Sequence, residues 1–350
     1  MKDKFLKKIL LYLSFLVVLF CMAGCKDISF ADITTNEDTS ITELQNVVSD
    51  DTSDDMSDYT PDDSADDTSD GASGDTSKWT ITQYGQADGA QFSLYTIEDE
   101  LGNLVIIDGG RASEPELSIV KEIIAKHNNH VAAWIVTHMH PDHVGAFNSV
   151  MSDLGDIKVD SIYTIKVNDS RYRETAKESD GIEAYDEFLN VISNVDESKT
   201  KIHYVTENDK FNVMGLEIYV LNSWNEDTDM LESNLMNNGA MVFLAKGDKK
   251  SMLFLADAEE IIEEKLYNNH PKEIENADFI QLAHHGNWGM TTAFYDHTSP
   301  DAVFSDAADF MFGKSPVKRE YDAAELIKYF EERNIKIYML RDAPNSIVIQ

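Results

Sequence analysis

Cysteine is scarce in this sequence of 350 residues, and basic side chains are few. Both cysteines, Cys21 and Cys25, stand near the amino terminus, so the rest of the chain cannot form an internal disulfide. A folded part without disulfides must be held by its core or by bound metal. Lysine and arginine number 29 against 64 acidic residues, a formal net charge of −35. Nucleic-acid binding normally needs a basic face, so this composition argues against a nucleic-acid partner.

The first 25 residues have the pattern of an export leader. Four lysines precede an apolar run over 9–22, which is too short for a stable membrane span. Two small residues then precede Cys25, and this arrangement resembles the leader of bacterial lipoproteins, with Met22 where that motif usually has leucine. The resemblance implies a lipid on Cys25, which would hold the exported protein at the outer face of the bacterial cytoplasmic membrane. The alternative is an ordinary secretory signal and a secreted protein.

Residues 26–78 consist largely of aspartate, serine and threonine, and the string DDTSD occurs in them twice. A segment with so few apolar side chains cannot offset the entropy of ordering, so we expect a disordered acidic spacer. Residues 79–350 are long enough for one domain with a full core. This domain still has 47 acidic and 23 basic residues. Its surface should therefore repel long polyanions and tolerate neutral or cationic groups.

Apolar runs with strand character alternate with helical patterns along the whole of this domain. Residues 91–110 and the stretch around Gly247 have the pattern of hairpins. Residues 131–137 and 277–283 are apolar strands, and 182–195 has helical spacing. Strands with helices interspersed in both halves predict an α/β domain in which two sheets pack together with helices outside.

Polar side chains of the kinds that bind metals recur directly after four of the predicted strands. They are Asp108, then His138, His140, Asp142 and His143, then Asp257, and finally His284 and His285. Strand ends of this kind converge on one site in layered α/β folds. Imidazole and carboxylate together suit zinc, and also iron or manganese. The sequence therefore predicts a metal site, with room for two ions that share an aspartate.

These residues also carry a family resemblance. Residues 137–145, THMHPDHVG, resemble the signature of the metallo-β-lactamase fold family, and Asp108-Gly109-Gly110 is similar to its first motif. Asp257 and His284 match the later motifs. The segment AHHGN at 283–287 is similar to the branch that includes the hydrolase domain of DNA-uptake channels and phosphorylcholine esterases. The resemblance implies a four-layer αββα sandwich and a metal-dependent hydrolase.

The resemblance also assigns roles to the polar residues. It implies two divalent metal ions, zinc in the first place, with manganese or iron as alternatives. The implied ligands are His138 and His140 for the first ion, Asp142, His143 and His284 for the second, and Asp257 as the bridge. Asp142 and Asp257 are also implied as catalytic residues, and Asp108 would orient the ligands without binding a metal itself. His285 would contact the substrate or protonate a leaving group; alternatively, it only lines the entrance.

One ligand of the family pattern has no counterpart here. Many members have a third histidine for the first metal, but between residues 144 and 256 the only histidine is His203, which stands too early in the sequence. Asn237 or Asn238 would take its place, as a weak ligand or as an anchor for water. We therefore expect the first metal to be held more loosely than the second.

The expected function is hydrolysis of phosphoester or phosphodiester bonds at the cell surface, in a small-molecule or cell-wall-linked substrate. A nuclease of the DNA-uptake type is one alternative, which the acidity disfavours, and a β-lactamase or lactonase is another. A non-enzymatic alternative is a surface binding lipoprotein with a degenerate metal site. The intact histidine motif together with Asp257 and His284 argues against this last reading.

Overall fold

The structure is a computed structural model that describes residues 78–85, 89–312 and 322–350. The leader over 1–25, its Cys25 and the acidic spacer up to residue 77 lie outside the described residues, so the statements about them stay predictions. Within the described ranges, no helix has both the length and the apolar character that crossing a bilayer requires.

Fourteen strands of the described residues form two sheets of seven. The first sheet has the order β14-β1-β2-β3-β4-β5-β6. Its strands are β1 (Trp79–Gln83), β2 (Leu94–Asp99), β3 (Leu104–Asp108), β4 (His130–Val136), β5 (Lys158–Thr164), β6 (Lys201–Tyr204) and β14 (Asn345–Ile349). The hairpin predicted over 91–110 is β2 and β3, which pair antiparallel. Strands β3 to β6 run parallel, as expected where helices connect them.

The second sheet has the order β13-β12-β11-β10-β9-β8-β7. Its strands are β7 (Lys210–Val213), β8 (Leu216–Asn222), β9 (Val242–Lys246), β10 (Ser251–Phe254), β11 (Phe279–Gln281), β12 (Ala302–Ser305) and β13 (Lys336–Met339). The predicted hairpin around Gly247 is β9 and β10. Strands β10 to β13 are parallel. Each sheet therefore has an antiparallel half and a parallel half.

Helices connect the strands along the described chain. They are α1 (Glu114–Lys126), α2 (Pro141–Ser152), α3 (Asp169–Thr175), α4 (Ile182–Ser193), α5 (Glu226–Asp229), α6 (Leu235–Asn238), α7 (Glu263–Asn269), α8 (Pro271–Glu275), α9 (Thr292–Thr298) and α10 (Ala323–Glu332). Short 3₁₀ turns include Glu260–Ile262 and Ala283–Gly286.

The side chains of the second sheet alternate between two buried clusters. In β9, Phe243 belongs to the larger cluster, which joins the two sheets, whereas Val242 and Leu244 belong to a smaller one. The smaller cluster continues into Leu266 of α7 and Phe330 of α10. Successive side chains of a strand point to opposite faces, so this sheet is buried on both faces.

The first sheet is covered on its outer face in the same way. Trp134 of β4 packs edge-on against Phe147 of α2, and Phe147 contacts Phe188 of α4. Between the sheets, Tyr95 of β2 packs against Phe254 of β10, with ring centroids 5.3 Å apart. The order is helices, sheet, sheet, helices. The predicted four-layer αββα fold is therefore confirmed.

Three local features of the backbone lie close to the polar residues. Helix α2 begins at Pro141, because proline fits the first helical position, where no amide hydrogen is needed. Residues 260–269 form a 3₁₀ turn followed by α7. The segments 168–180 and 223–238 contain the short helices α3, α5 and α6.

Candidate metal centre

Four strand ends deliver the polar residues to one edge of the sandwich. Strands β3 and β4 are parallel neighbours in the first sheet. Strand β3 ends at Asp108, and β4 ends just before Thr137. Strands β10 and β11 are parallel neighbours in the second sheet, followed by Asp257 and by the turn Ala283–Gly286. Parallel neighbours end at the same edge, so each sheet contributes two adjacent loops.

One group of possible metal donors consists of His138, His140 and Asp257, whose ligand atoms all lie within 4.8 Å of one another. The Nε2 atom of His138 is 3.7 Å from Oδ2 of Asp257. The Nε2 atoms of both histidines are buried and have no hydrogen-bond partner among the described residues. Buried polar atoms are normally satisfied, so these two nitrogens call for a ligand.

A second group consists of Asp142, His143 and His285, again with donor atoms within 4.8 Å of one another. The Nε2 atoms of His143 and His285 are 3.3 Å apart. Asp257 of the first group also approaches the second, because its Oδ1 is 3.2 Å from Nε2 of His143 and its Oδ2 is 3.6 Å from Nε2 of His285. This position is the one expected of a bridging carboxylate.

The positions of the two histidines after β11 are the reverse of those that the sequence resemblance implies. His285, expected in a substrate-facing role, is fully buried in the second donor group. His284, expected as a ligand, belongs to neither donor group; it lines the cavity, with Nε2 3.8 Å from Oδ2 of Asp257. Both have positive φ, 50° and 58°, so this turn leaves the regular helical path and sends the two side chains apart.

Asp108 supports the centre through its contacts with Thr137 and His143. Its carboxylate accepts hydrogen bonds from the backbone N–H of Thr137 at 2.9 Å and from the Thr137 hydroxyl at 3.0 Å. The Nδ1 atom of His143 lies 2.7 Å from the same carboxylate. An imidazole that donates from Nδ1 to a carboxylate directs its Nε2 lone pair outward. Asp108 therefore orients His143 toward the second donor position.

Asn237 and Asn238 are both buried and both donate from Nδ2 to Glu259, but they differ in their other contacts. The Oδ1 atom of Asn238 accepts from the backbone N–H of Glu259 at 3.1 Å. The Oδ1 atom of Asn237 is buried and, in the described part of the chain, without a partner. Asn237 also lines the cavity, with Nδ2 3.5 Å from Nε2 of His284. Of the two predicted substitutes for the missing histidine, Asn237 is the one whose Oδ1 accepts no hydrogen bond from the described residues and is available to bind a metal.

Charges within the centre are strongly coupled. Burial lowers the pKa of His285, but the carboxylates of Asp257 and Asp142 outweigh it and raise this pKa to about 10. Burial likewise opposes protonation of His143, yet Asp257 and Asp108 raise its pKa well above the usual range. Burial, reinforced by the charge of His143, lowers the pKa of His138 well below it. The carboxylates thus attract positive charge into a buried site.

The donor set fits divalent transition metals. It consists of imidazole nitrogens and carboxylate oxygens, the mixture that suits zinc and also manganese or iron. Two carboxylates, Asp142 and Asp257, are almost wholly buried, and a buried anion needs a cation or several donors to stabilise it. The unpartnered Nε2 atoms described above supply neutral ligands for such ions. The residues of this chain therefore fit a pair of metal ions.

A cavity of about 530 Å³ opens onto the centre. Its walls include two basic residues, Arg111 and Lys177, although the chain as a whole is acidic. Acidic residues line it as well, among them Asp180 and Glu260, and the half-exposed ring of Trp288 lies at its wall. The cavity can therefore place both anionic and cationic parts of a ligand beside the donors.

The family model of the metallo-beta-lactamase superfamily matches residues 91–159, which hold Asp108 and the histidine motif. A curated relative, the beta-lactamase-like protein 2 homolog of Caenorhabditis elegans, is 32% identical over 63 residues. That match spans 18% of this chain and 21% of the relative, so the chain covers about a fifth of that protein. Residues 91–159 therefore match the metallo-β-lactamase superfamily in sequence, as the motifs predicted.

Solved structures that resemble this chain have low sequence identity. The metallo-beta-lactamase fold protein YhfI of Bacillus subtilis is 13% identical with a TM-score of 0.47, covering 78% of this chain and 98% of its own. CmlA, a diiron β-hydroxylase from Streptomyces venezuelae, is 11% identical with a TM-score of 0.47, covering 79% of this chain and 54% of its own.

Three residues of the site were missed by the sequence reasoning. Glu259 contacts the asparagines, and Arg111 and Lys177 supply the basic walls of the cavity. Two signals were available: Glu259 stands two residues after Asp257, and Arg111 directly follows Asp108-Gly109-Gly110. Lys177 follows no motif, and only the fold brings it to the site.

Proposed function

We propose that this protein is an exported, lipid-anchored, metal-dependent hydrolase of phosphoester or phosphodiester bonds at the cell surface. The observation that carries the hydrolase part is the pair of donor groups that meet at Asp257 and open onto one cavity. The family match supports a metal-dependent hydrolase or a related enzyme. Fold alone does not determine the substrate, so the substrate is argued from the cavity walls.

Two divalent ions bound here would supply Lewis acidity and lower the pKa of a water. His138, His140 and Asp257 would hold the first ion, and Asp142, His143 and His285 the second, with Asp257 shared. Asp142 lies in the first turn of α2, where the helix amino terminus favours negative charge. Asp108 keeps His143 in the tautomer that has Nε2 free for a metal.

Phosphoesters are the preferred substrate class because the cavity offers cations for their oxygens. Arg111 and Lys177 can each pair with a phosphoryl oxygen. Trp288 and Glu260 provide an aromatic face and a negative charge, which would suit a substrate that also carries a cation. The strongly acidic chain disfavours long polyanions such as DNA, so a small-molecule or cell-wall-linked ester is preferred over a nuclease substrate.

The location rests on the sequence alone. The lysine-rich start, the apolar run and Cys25 support export and lipid attachment, and the acidic spacer supports a domain held away from the membrane surface. Expression of the full chain with a labelled fatty acid tests this part. Label in the wild-type chain and none in C25S is the expected result, whereas equal labelling of both would contradict the anchor.

A substrate panel tests the activity. The full chain, supplied with Zn²⁺ or Mn²⁺, is assayed on bis-p-nitrophenyl phosphate, p-nitrophenyl phosphorylcholine, single-stranded DNA and a chromogenic cephalosporin. Hydrolysis of a phosphoester that D142A abolishes is expected, because Asp142 belongs to the second donor group. Activity on the cephalosporin alone would overturn the substrate class. A purified protein that retains no transition metal would instead support a binding lipoprotein with a degenerate site.

A further inference from the structure

One carboxylate, that of Glu259, gathers three asparagine side chains at the wall of the cavity. The Nδ2 atom of Asn234 donates to it at 2.8 Å, that of Asn238 at 3.2 Å and that of Asn237 at 3.4 Å. A carboxylate can only accept hydrogen bonds. Every amide that faces Glu259 must therefore present its NH₂ group and turn its oxygen away.

This constraint has its main consequence at Asn237. Asn237 is 95% buried, its side-chain oxygen has no partner within the described residues, and it lines the cavity. His284 connects Asn237 to Asp257. Its Nε2 atom is 3.5 Å from Nδ2 of Asn237 and 3.8 Å from Oδ2 of Asp257. An unpaired buried carbonyl oxygen is costly, so its orientation calls for a cation or a donor.

The backbone ties this asparagine segment to the histidine motif. The N–H of Met241 donates to the carbonyl of Thr137 at 2.9 Å, one residue before His138. The Nδ2 atom of Asn222 donates to the carbonyls of Asn238 and Ala240, which fixes the end of α6. The segment that carries Asn237 therefore has a defined position relative to the first donor group.

We propose that Glu259 is a positioning residue that holds Asn237 with its Oδ1 atom toward the first metal position. There Oδ1 joins His138, His140 and Asp257 as the fourth protein donor, in place of the missing histidine. The proposal rests on the metal centre proposed above. An amide oxygen in place of an imidazole weakens zinc binding and shifts the preference toward manganese. The first site is thus tuned by a residue that does not contact the metal.

Metal titration of E259Q tests this role. The glutamine amide can donate as well as accept, so Asn237 is released to turn its NH₂ group inward. The full chain, stripped with chelator, is titrated with Zn²⁺ and with Mn²⁺ against a competing indicator. Two ions of unequal affinity are expected for the wild type, with the weaker one bound about 10- to 100-fold less tightly in E259Q. The tighter ion should keep its affinity, and the visible spectrum of the Co²⁺-loaded protein should change.

E260Q is the matched control, because Glu260 also lines the cavity and the substitution removes the same charge. It should leave both affinities within about twofold of the wild type if the orientation of Asn237, rather than net charge, determines them. N237L is a second variant, which removes the oxygen itself. It should weaken the same ion as E259Q does, and it decides the question if E259Q does not fold.

The outcomes separate the two proposals. If the wild type binds two ions and neither E259Q nor N237L changes the weaker affinity, the role of Glu259 is overturned while the metal centre stands. A fall in both affinities in E260Q as large as in E259Q would also overturn it, because net charge would then be the cause. If the wild type binds no ion, the metal-dependent function itself fails.

Discussion

The Nε2 atom of His285 lies 3.3 Å from Oδ2 of Asp142, and both residues are buried at one edge of the sandwich. His284, its neighbour in the sequence, instead lines the open cavity. His284 and His285 both have left-handed backbone angles, which residues other than glycine keep only when the surrounding structure holds them there. The turn after β11 thus supplies one buried side chain to the donor group and one side chain to the cavity.

Substitution of the two histidines should therefore have different effects on metal content. H285A removes a donor from the second group and is expected to retain one ion per chain fewer than the wild type. H284A should retain both ions, because its side chain belongs to neither donor group. Metal content after dialysis, measured by atomic emission for the wild type and each variant, checks this. Loss of an ion in H284A with none lost in H285A would restore the assignment that the family resemblance implies.

Asp108 should matter for the second ion although it belongs to neither donor group. D108N replaces one accepting oxygen with a donor, so the Nδ1 of His143 loses its fixed partner. The affinity for the second ion is expected to fall about 10- to 100-fold, as is typical for residues that orient a metal-ligating histidine. Chelator competition measures it. D99N is the control, because among the described residues the Asp99 side chain accepts hydrogen bonds only within the β2–β3 turn. Equal losses in both variants would contradict the role of Asp108.

The histidine motif could be located from the sequence because its residues are contiguous and follow an apolar strand. Residues 131–136 lie in β4, and His138 to His143 lie together in space because they are close along the chain. The position of Asp257 was predictable for the same reason, since it follows the buried strand β10. Local patterns of this kind carry the fold and most of the centre.

The rest depended on backbone angles and on distant contacts. His284 and His285 follow the same strand, and the choice between them is made by φ angles of 50° and 58° that no periodicity reveals. Glu259 reaches Asn234 across 25 residues of sequence. Lys177 comes to the cavity from the segment after α3. Such residues become visible only when the two sheets are placed face to face.

Stability should depend on pH through Glu207, far in the sequence from the metal motif. Burial alone would raise the pKa of Glu207, but hydrogen bonds from Lys265 and Asn269, both 2.7 Å long, outweigh it and lower this pKa. Its stabilisation is therefore present above the unfolded-state pKa of about 4.5 and is lost as the pH falls through the lower folded-state pKa.

E207Q is accordingly expected to lower the free energy of unfolding by about 1 kcal/mol at pH 7 and by much less in acid. Urea unfolding of the full chain across pH 3 to 7 measures the difference. E232Q is the control. It replaces an exposed glutamate and should show no such pH-dependent difference. A constant difference between the wild type and E207Q over the whole range would show that the charge of Glu207 is not the cause.

Gly145 allows helix α2 to approach the loop after β3. A Cβ atom at this position would lie 2.5 Å from the backbone nitrogen of Ala112 and 2.8 Å from the carbonyl carbon of Arg111. The neighbouring atoms are backbone, and Ala146 N–H donates to the carbonyl of Gly110 at 3.1 Å, so neither segment can move aside cheaply.

G145A should therefore lower the free energy of unfolding by about 1–3 kcal/mol, the usual range for overpacking. Urea unfolding of the chelator-treated full chain checks this without a contribution from metal. S152A, on the exposed end of the same helix, should stay within about 0.5 kcal/mol of the wild type. Because α2 carries Asp142 and His143 in its first turn, any outward shift in G145A should also weaken the second ion. Wild-type stability and wild-type affinity in G145A would mean that this close approach is not required.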